Sequence, residues 1–195
     1  LSLHDALPIW SDITLRHVGV NPTRVGVINI LRQMGANIVL SNELDVGGEP
    51  VADVRVRYAP LKGITIPEDQ VPLAIDEFPA IFIAAACAEG TTILSGAEEL
   101  RVKESDRIQS MADGLVILGI DAQPTVDGIC ILGGQLGSGS VHSHDDHRIA
   151  MAFSIAALRA SGEIIVLDCN NVGTSFPDFV GLAGQIGINL TSETM

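Results

Sequence analysis

The chain has 195 residues, of which 47% are hydrophobic and only 4% aromatic, and its formal net charge is −13. This length allows one sizeable domain, and a core of Ala, Val, Ile and Leu favours helices packed on sheets over an all-β sandwich. The acidic balance excludes nucleic acid or an anionic membrane as a general partner, because both need a broad basic surface.

The first ten residues (LSLHDALPIW) match nothing in the pattern that follows. They lack the basic start and long apolar stretch of a signal peptide. We interpret residues 1–10 as a junction or truncation scar and assign residues 11–195 to the domain. The sequence contains no run of 18 uncharged apolar residues, so it predicts no membrane span. No two of the three cysteines, Cys87, Cys130 and Cys169, form a C-x-x-C pair. This favours free thiols in a reducing compartment, so the expected location is the cytoplasm.

A helical pattern that ends in Gly and precedes a short strand occurs three times, at Gly35, Gly119 and Gly187. A Gly just past the last helical turn is the expected left-handed cap. A period of roughly 70 to 85 residues fits a small α/β unit used three times. The strands predicted within these units cover residues 54–57, 91–94, 129–132 and 164–167.

Two further helices, predicted at residues 80–88 and 149–158, follow acidic residues and are apolar nearly all round. Such helices belong in the interior. The alternating strands, polar on one side, predict sheets that face solvent. The expected fold class is therefore α/β (α+β), with buried helices enclosed by sheets.

The charged run at residues 101–107 (RVKESDR) holds three cations, in a chain with 11 Lys and Arg against 24 Asp and Glu. It leads into an apolar helical pattern, which is typical of an anion-handling site at the start of a buried helix. With a helix beginning near Lys103, Lys103 and Arg107 are neighbours four apart. Glu104 then falls on the apolar stripe, where a partly desolvated carboxylate is a candidate proton shuttle. Alternatively, Glu104 and Asp106 are ordinary first-turn acids that pair with Arg101 and Lys103.

A second charged run, Asp145-Asp146-His147-Arg148, opens the second acid-led helix. Its two acids are typical N-caps, with Asp145 the expected one. Arg148 opposes the helix dipole, which makes sense if it helps the helix N-terminus to hold a phosphate or carboxylate. His142, His144 and His147 suggest a metal site, but their spacing matches no established ligand set. Asp76, which opens the other helix, is by sequence alone more typical of an N-cap than of a catalyst.

Several of these segments closely resemble successive motifs of the EPSP synthase (3-phosphoshikimate 1-carboxyvinyltransferase) family. They are residues 101–107 (RVKESDR), 146–151 (DHRIAM) and 174–178 (TSFPD). Residues 75–79 (IDEFP) and 21–24 (NPTR) also resemble this family, especially its bacterial class with glyphosate-tolerant members. The resemblance implies one domain of the enolpyruvyl transferase fold, with three βαβαββ units whose helices lie inside.

The resemblance also implies a reaction and a role for each matching residue. The reaction transfers the enolpyruvyl group of phosphoenolpyruvate to the 5-hydroxyl of shikimate 3-phosphate and releases phosphate, with no metal or organic cofactor. Lys103 resembles the lysine that binds shikimate 3-phosphate, and Arg107 and Arg148 resemble the arginines that hold phosphoenolpyruvate. Asp76 matches the proton acceptor near the shikimate 5-hydroxyl, and Glu104 the acid that transfers a proton at the enolpyruvyl carbon.

His147 would sit beside that site. Two anionic small-molecule substrates would explain why cations gather locally in an acidic chain. The sequence departs from the family in two ways. Thr174 and Ser175 stand where some members carry a substrate-binding lysine. The Gly-rich Asn-Ala-Gly-Thr element of the family's other domain does not occur here. We therefore expect a monomer that lacks the amino-terminal domain, needs it as a partner and is inactive alone.

Three alternatives remain open from the sequence. One is an enolpyruvyl transferase acting on UDP-N-acetylglucosamine, which shares the fold but not the Lys-Glu-Ser-Asp-Arg element. A second is a non-catalytic remnant of the fold that binds phosphates weakly. The third is a metal hydrolase built on the cluster from His142 to His147.

Overall fold

The computed structural model describes residues 11–185 and 187–192, so the proposed junction at residues 1–10 lies outside it. The strands are β1 (Asp12–Gly19), β2 (Asn37–Val46), β3 (Glu49–Arg57), β4 (Thr91–Leu94), β5 (Asp121–Pro124), β6 (Ile129–Leu132), β7 (Gly139–His142) and β8 (Ile164–Leu167). The α-helices are α1 (Gly26–Gln33), α2 (Phe78–Ala86), α3 (Arg107–Ile117), α4 (His147–Ala156), α5 (Val172–Ser175) and α6 (Phe179–Gln185). Short 3₁₀ turns cover Glu68–Gln70 and Glu98–Val102.

The strands form three separate sheets, with orders β1-β3-β2, β4-β6-β5 and β7-β8. The first two sheets are antiparallel and each has its last strand in the middle, whereas β7 and β8 are parallel. A segment bridged in parallel through Lys62 and Thr65 precedes α2, so the middle unit has the full βαβαββ order. The predicted threefold repetition is therefore visible, with the middle unit the most complete in the described residues.

The two acid-led helices, α2 and α4, lie inside, as predicted. Nearly every residue of α2 is buried, because the helix FPAIFIAAA has no polar face to present to water. Helix α4 buries Ile149, Phe153 and its alanines. In β6 Ile129 and Ile131 are buried while Leu132 is exposed, so the sheet packs one face on the helices and leaves the other to solvent.

The three predicted glycine caps are confirmed: Gly35, Gly119 and Gly187 have φ of 100°, 85° and 89°. Gly119 shows the reason, since its amide donates to the carbonyl of Val116 at the helix end. The strand expected after Gly187 is not formed in residues 187–192. Residues 187–192 take part in none of the described strand pairings, and pairing rather than local pattern is what makes a strand.

Candidate active site

The charged run at 101–107 is not the start of a helix. Residues Glu98–Val102 form a 3₁₀ turn, Lys103 is extended, and α3 begins only at Arg107. The side chain of Asp106 accepts a hydrogen bond from the Gln109 amide at 3.0 Å and so caps the helix. The prediction of a helix from Lys103 was therefore wrong. Lys103 and Arg107 do not share a helical face, and Glu104 is not on the apolar stripe.

Arg101 anchors this run to the turn between β5 and β6. Its guanidinium donates to Asp106 Oδ2 at 2.6 Å, to the Val126 carbonyl at 2.8 Å and to the Thr125 carbonyl. These bonds hold the loop before α3 in a fixed shape. Arg101 thus has a structural role in placing the residues that follow.

Arg107 is completely buried, and each of its three guanidinium nitrogens donates to a different carboxylate. Nε lies 2.8 Å from Asp146 Oδ2, Nη1 lies 3.3 Å from Asp76 Oδ1, and Nη2 lies 2.6 Å from Glu104 Oε2. The exposed fractions of the three acid side chains are 0% for Asp146, 27% for Asp76 and 51% for Glu104. The solvent exposure of the three carboxylates therefore increases from Asp146, which is buried, to Glu104, which is half exposed.

Asp146, not Asp145, caps α4. Its Oδ1 accepts from the amide of Arg148 at 2.9 Å and from that of Ile149 at 3.4 Å. The preceding residues His144 and Asp145 have φ of 52° and 57°, so a left-handed turn carries the chain into the cap and leaves Asp145 exposed. The predicted N-cap at Asp145 was wrong by one residue because sequence does not reveal this turn.

Asp76 joins the two arginines. It precedes α2, and the cap position itself belongs to Glu77, which makes no side-chain capping bond. Nη2 of Arg148 lies 3.3 Å from Asp76 Oδ2, and Nη1 lies 3.2 Å from the Asp76 carbonyl. Because Arg107 contacts the other carboxylate oxygen, Asp76 bridges residues that start α3 and α4. The N-cap interpretation of Asp76 is therefore wrong, and its carboxylate serves the arginines.

We call Asp76, Glu104, Arg107, Asp146 and Arg148 the arginine–carboxylate cluster. Its two arginines face three carboxylates, so its formal charge is −1. Because Arg107 has no exposed surface, an incoming anion can reach it only if a neighbouring group moves aside. Glu104 is the most exposed of the three and lies on the non-helical loop, so it is the one that can leave at least cost.

Lys103 and His147 lie outside this cluster. The ammonium of Lys103 pairs with Glu99, four residues earlier, on the same loop. His147 opens α4 and is half-buried, and its side chain makes no hydrogen bond or ion pair to another residue of 11–185 or 187–192. The structure thus brings together four of the six predicted site residues: Asp76, Glu104, Arg107 and Arg148.

Glu77 and Asp146 are the residues that sequence analysis underrated. Burial raises the pKa of the Glu77 carboxyl above its ordinary value; Arg148 opposes this shift and Asp76 adds to it. A small pocket beside it is lined by Thr23, Arg24 and residues 72, 73 and 75–77. The pairing of Arg107 with Asp146 could not be predicted from local sequence pattern, because the two residues are 39 positions apart.

The three histidines do not converge on a metal site. His142 Nδ1 lies 2.9 Å from Asp168 Oδ2, and the rings of His142 and His144 are 5.8 Å apart. Among the residues that the structure describes, no group of three or more His, Cys, Asp or Glu side chains could hold a metal ion. Across those residues, too, every helix is too short or too polar to cross a membrane.

Solved structures of other proteins share this fold. EPSP synthase from Acinetobacter baumannii superposes with a TM-score of 0.93 and 56% identity, covering 97% of this chain and 45% of that one. The enolpyruvyl transferase NikO from Streptomyces tendae gives a TM-score of 0.69 over 95% of this chain and 41% of that one. At 18% identity the second likeness concerns the fold alone. The fold is that of the enolpyruvyl transferases.

The particular family follows from sequence comparison. The family model for EPSP synthase (3-phosphoshikimate 1-carboxyvinyltransferase) matches residues 6–182, and the chain belongs to this family. Enzymes named 3-phosphoshikimate 1-carboxyvinyltransferase from Methylococcus capsulatus and Alkalilimnicola ehrlichii are 67% and 66% identical to it. These matches cover 95% and 93% of this chain but only 42% and 41% of the relatives. The chain therefore spans about two fifths of their length.

Proposed function

We propose that this chain contributes the phosphoenolpyruvate-binding side of a 3-phosphoshikimate 1-carboxyvinyltransferase. The observation that carries the proposal is the meeting of Arg107 and Arg148, from two different helices, on the two oxygens of Asp76. Two planar guanidinium groups directed at one carboxylate are suited to a small molecule that bears carboxylate and phosphate groups. Phosphoenolpyruvate has both.

In the proposed reaction the 5-hydroxyl of shikimate 3-phosphate adds to the central carbon of phosphoenolpyruvate. Asp76 takes the hydroxyl proton, while Glu104, once displaced from Arg107 and carrying a proton, gives that proton to the methylene carbon, which becomes a methyl group. In the second step the methyl group returns a proton to Glu104 as the carbon–oxygen bond to phosphate breaks, and Asp76 passes the hydroxyl proton to the departing phosphate. Lys103, which here pairs with Glu99, would turn to the 3-phosphate. No step uses a metal or an organic cofactor.

The charge of the cluster supports a further part of the proposal, that this chain alone is inactive. In the structure every nitrogen of Arg107 is already occupied by a carboxylate, and the cluster carries a formal charge of −1. Anion binding needs additional positive charge to offset those acids. We propose that the amino-terminal part of the longer relatives supplies it, and that the two parts act as one monomer. Thr174 and Ser175 are the last two residues of α5. Both are exposed, and neither supplies such a charge.

The proposed compartment is the cytoplasm. Cys87, Cys130 and Cys169 are all free thiols, which suits a reducing environment. The acidic balance of the chain supports small anionic substrates, rather than nucleic acid or a membrane, as its partners.

The test is a grafted enzyme, in which this chain replaces the matching region of the Methylococcus capsulatus relative. We expect it to release phosphate from phosphoenolpyruvate when shikimate 3-phosphate is present, and not when UDP-N-acetylglucosamine replaces it. The 195-residue chain by itself should release none. A folded grafted enzyme without turnover would contradict the proposed reaction, and turnover by the chain alone would contradict the need for a second part.

A further inference from the structure

Asp146 holds two parts of the site with a single carboxylate. Its Oδ2 accepts from Arg107 Nε at 2.8 Å and from the Ser105 hydroxyl at 3.2 Å. Its Oδ1 accepts from the backbone amides at the start of α4, with the Arg148 amide at 2.9 Å. The side chain is fully buried. One residue thus connects the loop before α3 with the first turn of α4.

This arrangement determines which nitrogens of Arg107 a substrate can reach. Nε is bonded to the one carboxylate that has no exposure, and burial leaves that carboxylate no alternative partner in water. The two terminal nitrogens face Asp76 and Glu104, which are 27% and 51% exposed and can exchange for another anion. Since the guanidinium is planar and rigid, fixing Nε fixes the direction of both terminal nitrogens.

The same carboxylate also fixes the backbone position from which the Arg148 side chain extends. By capping α4 at the Arg148 amide it sets the first turn of that helix, from which the Arg148 side chain reaches Asp76 at 3.3 Å. The relative placement of the two guanidinium groups therefore depends on Asp146.

A helix cap alone does not require this geometry. Ser, Asn or Asp can each cap a helix with one oxygen, and a buried ion pair is often no more stabilising than apolar residues of similar size. A buried carboxylate with both oxygens engaged, one of them on an arginine, is explained better by orientation than by stability.

We propose that Asp146 is a positioning residue, which orients Arg107 and Arg148 together for phosphoenolpyruvate. This inference rests on the proposed function. Asp146→Asn in the grafted enzyme tests it, since asparagine still caps α4 through its carbonyl oxygen but turns a second donor toward Arg107 Nε. The matched control is Asp145→Asn, which removes the same charge one residue earlier from an exposed side chain whose left-handed backbone asparagine also tolerates.

Loss of a charge-assisted hydrogen bond predicts that Asp146→Asn raises KM for phosphoenolpyruvate by about tenfold or more. KM for shikimate 3-phosphate and kcat should change by less than about threefold, because Lys103 and Asp76 remain. Asp145→Asn should leave all three constants unchanged. A folded Asp146→Asn protein with unchanged KM for phosphoenolpyruvate would overturn the proposal, as would an equal loss with both substrates.

If Asp146→Asn does not fold, Ser105→Ala decides. It removes the second donor to the same Oδ2 and should raise KM for phosphoenolpyruvate by about threefold, the effect of losing one long hydrogen bond. No rise would overturn the proposal. If the unmutated grafted enzyme turns over and these variants have no effect, the role of Asp146 is contradicted but the proposed function is not. Absence of turnover in the unmutated enzyme would overturn both this inference and the proposed function.

Discussion

Of the ion pairs among the described residues, the buried pair of Arg107 and Asp146 should be the most costly to break. Arg107→Met keeps much of the side-chain volume but removes the partner 2.8 Å from a carboxylate with no exposure. Removing one member of a buried pair leaves an uncompensated charge, so the free energy of unfolding should fall by about 3 to 5 kcal/mol. Asp76 and Glu104 reach solvent and add little to this cost.

Two further variants separate this cause from a loss of packing. Arg107→Met combined with Asp146→Asn removes the stranded charge, and should recover about 2 kcal/mol or more of the loss. Arg55→Met breaks another Arg–Asp pair, with Asp12 at 2.5 Å, in which both side chains are roughly half exposed. Because exposed pairs contribute little, this variant should unfold at nearly the same denaturant concentration as the original chain.

Urea titration of the 195-residue chain, followed by circular dichroism, gives these free energies. An Arg107→Met variant that loses less than about 1 kcal/mol would refute the reasoning, since that is the range of an exposed pair. So would a double variant no more stable than Arg107→Met alone, because the loss would then come from packing and not from the unpaired carboxylate.

The remaining predictions concern the proposed proton acceptor, the core and pH. Asp76→Asn in the grafted enzyme should lower kcat by about 10² to 10⁴, the usual contribution of a general base, and a loss below about tenfold in steady-state phosphate release would exclude that role. Gly114→Ala should lower the free energy of unfolding by about 1 to 3 kcal/mol in urea titration, because a Cβ there would lie 2.3 Å from the Phe153 ring. Gly184→Ala, with nothing within 4 Å, is its control and should not destabilise the chain. Glu77→Gln should raise the free energy of unfolding at pH 7. Burial raises the pKa of the Glu77 carboxyl above 4.5 in the folded chain. Ionising this group therefore lowers the free energy of unfolding as the pH rises through the pKa of the folded chain. That gain should vanish below about pH 4, where the carboxyl is protonated in both states, and a gain that persists there would have another cause.

The fold was largely predictable because its determinants are local. The strands at 91–94, 129–132 and 164–167 match β4, β6 and β8 residue for residue. The apolar helices were also found, but both begin two residues before their predicted starts. In α2 the proline at position 79 fits within the first turn, where its missing N–H costs nothing.

Four members of the arginine–carboxylate cluster were predictable, but its connections were not. Motifs identified Asp76, Glu104, Arg107 and Arg148, whereas the pairing of Arg107 with Asp146 spans 39 residues and depends on the packing of α3 beside α4. The helix assumed to start at Lys103 failed for a similar reason. Arg101 holds that loop through carbonyls of residues 125 and 126, a tertiary contact that overrides the helical periodicity of the segment.

The most direct measurement is a crystal structure of the grafted enzyme with shikimate 3-phosphate and inorganic phosphate. We predict that the phosphate lies within hydrogen-bond distance of both Arg107 and Arg148, with Glu104 displaced from Nη2 of Arg107 and Asp146 still bonded to Nε. A phosphate bound elsewhere, while Arg107 keeps all three carboxylates, would contradict it.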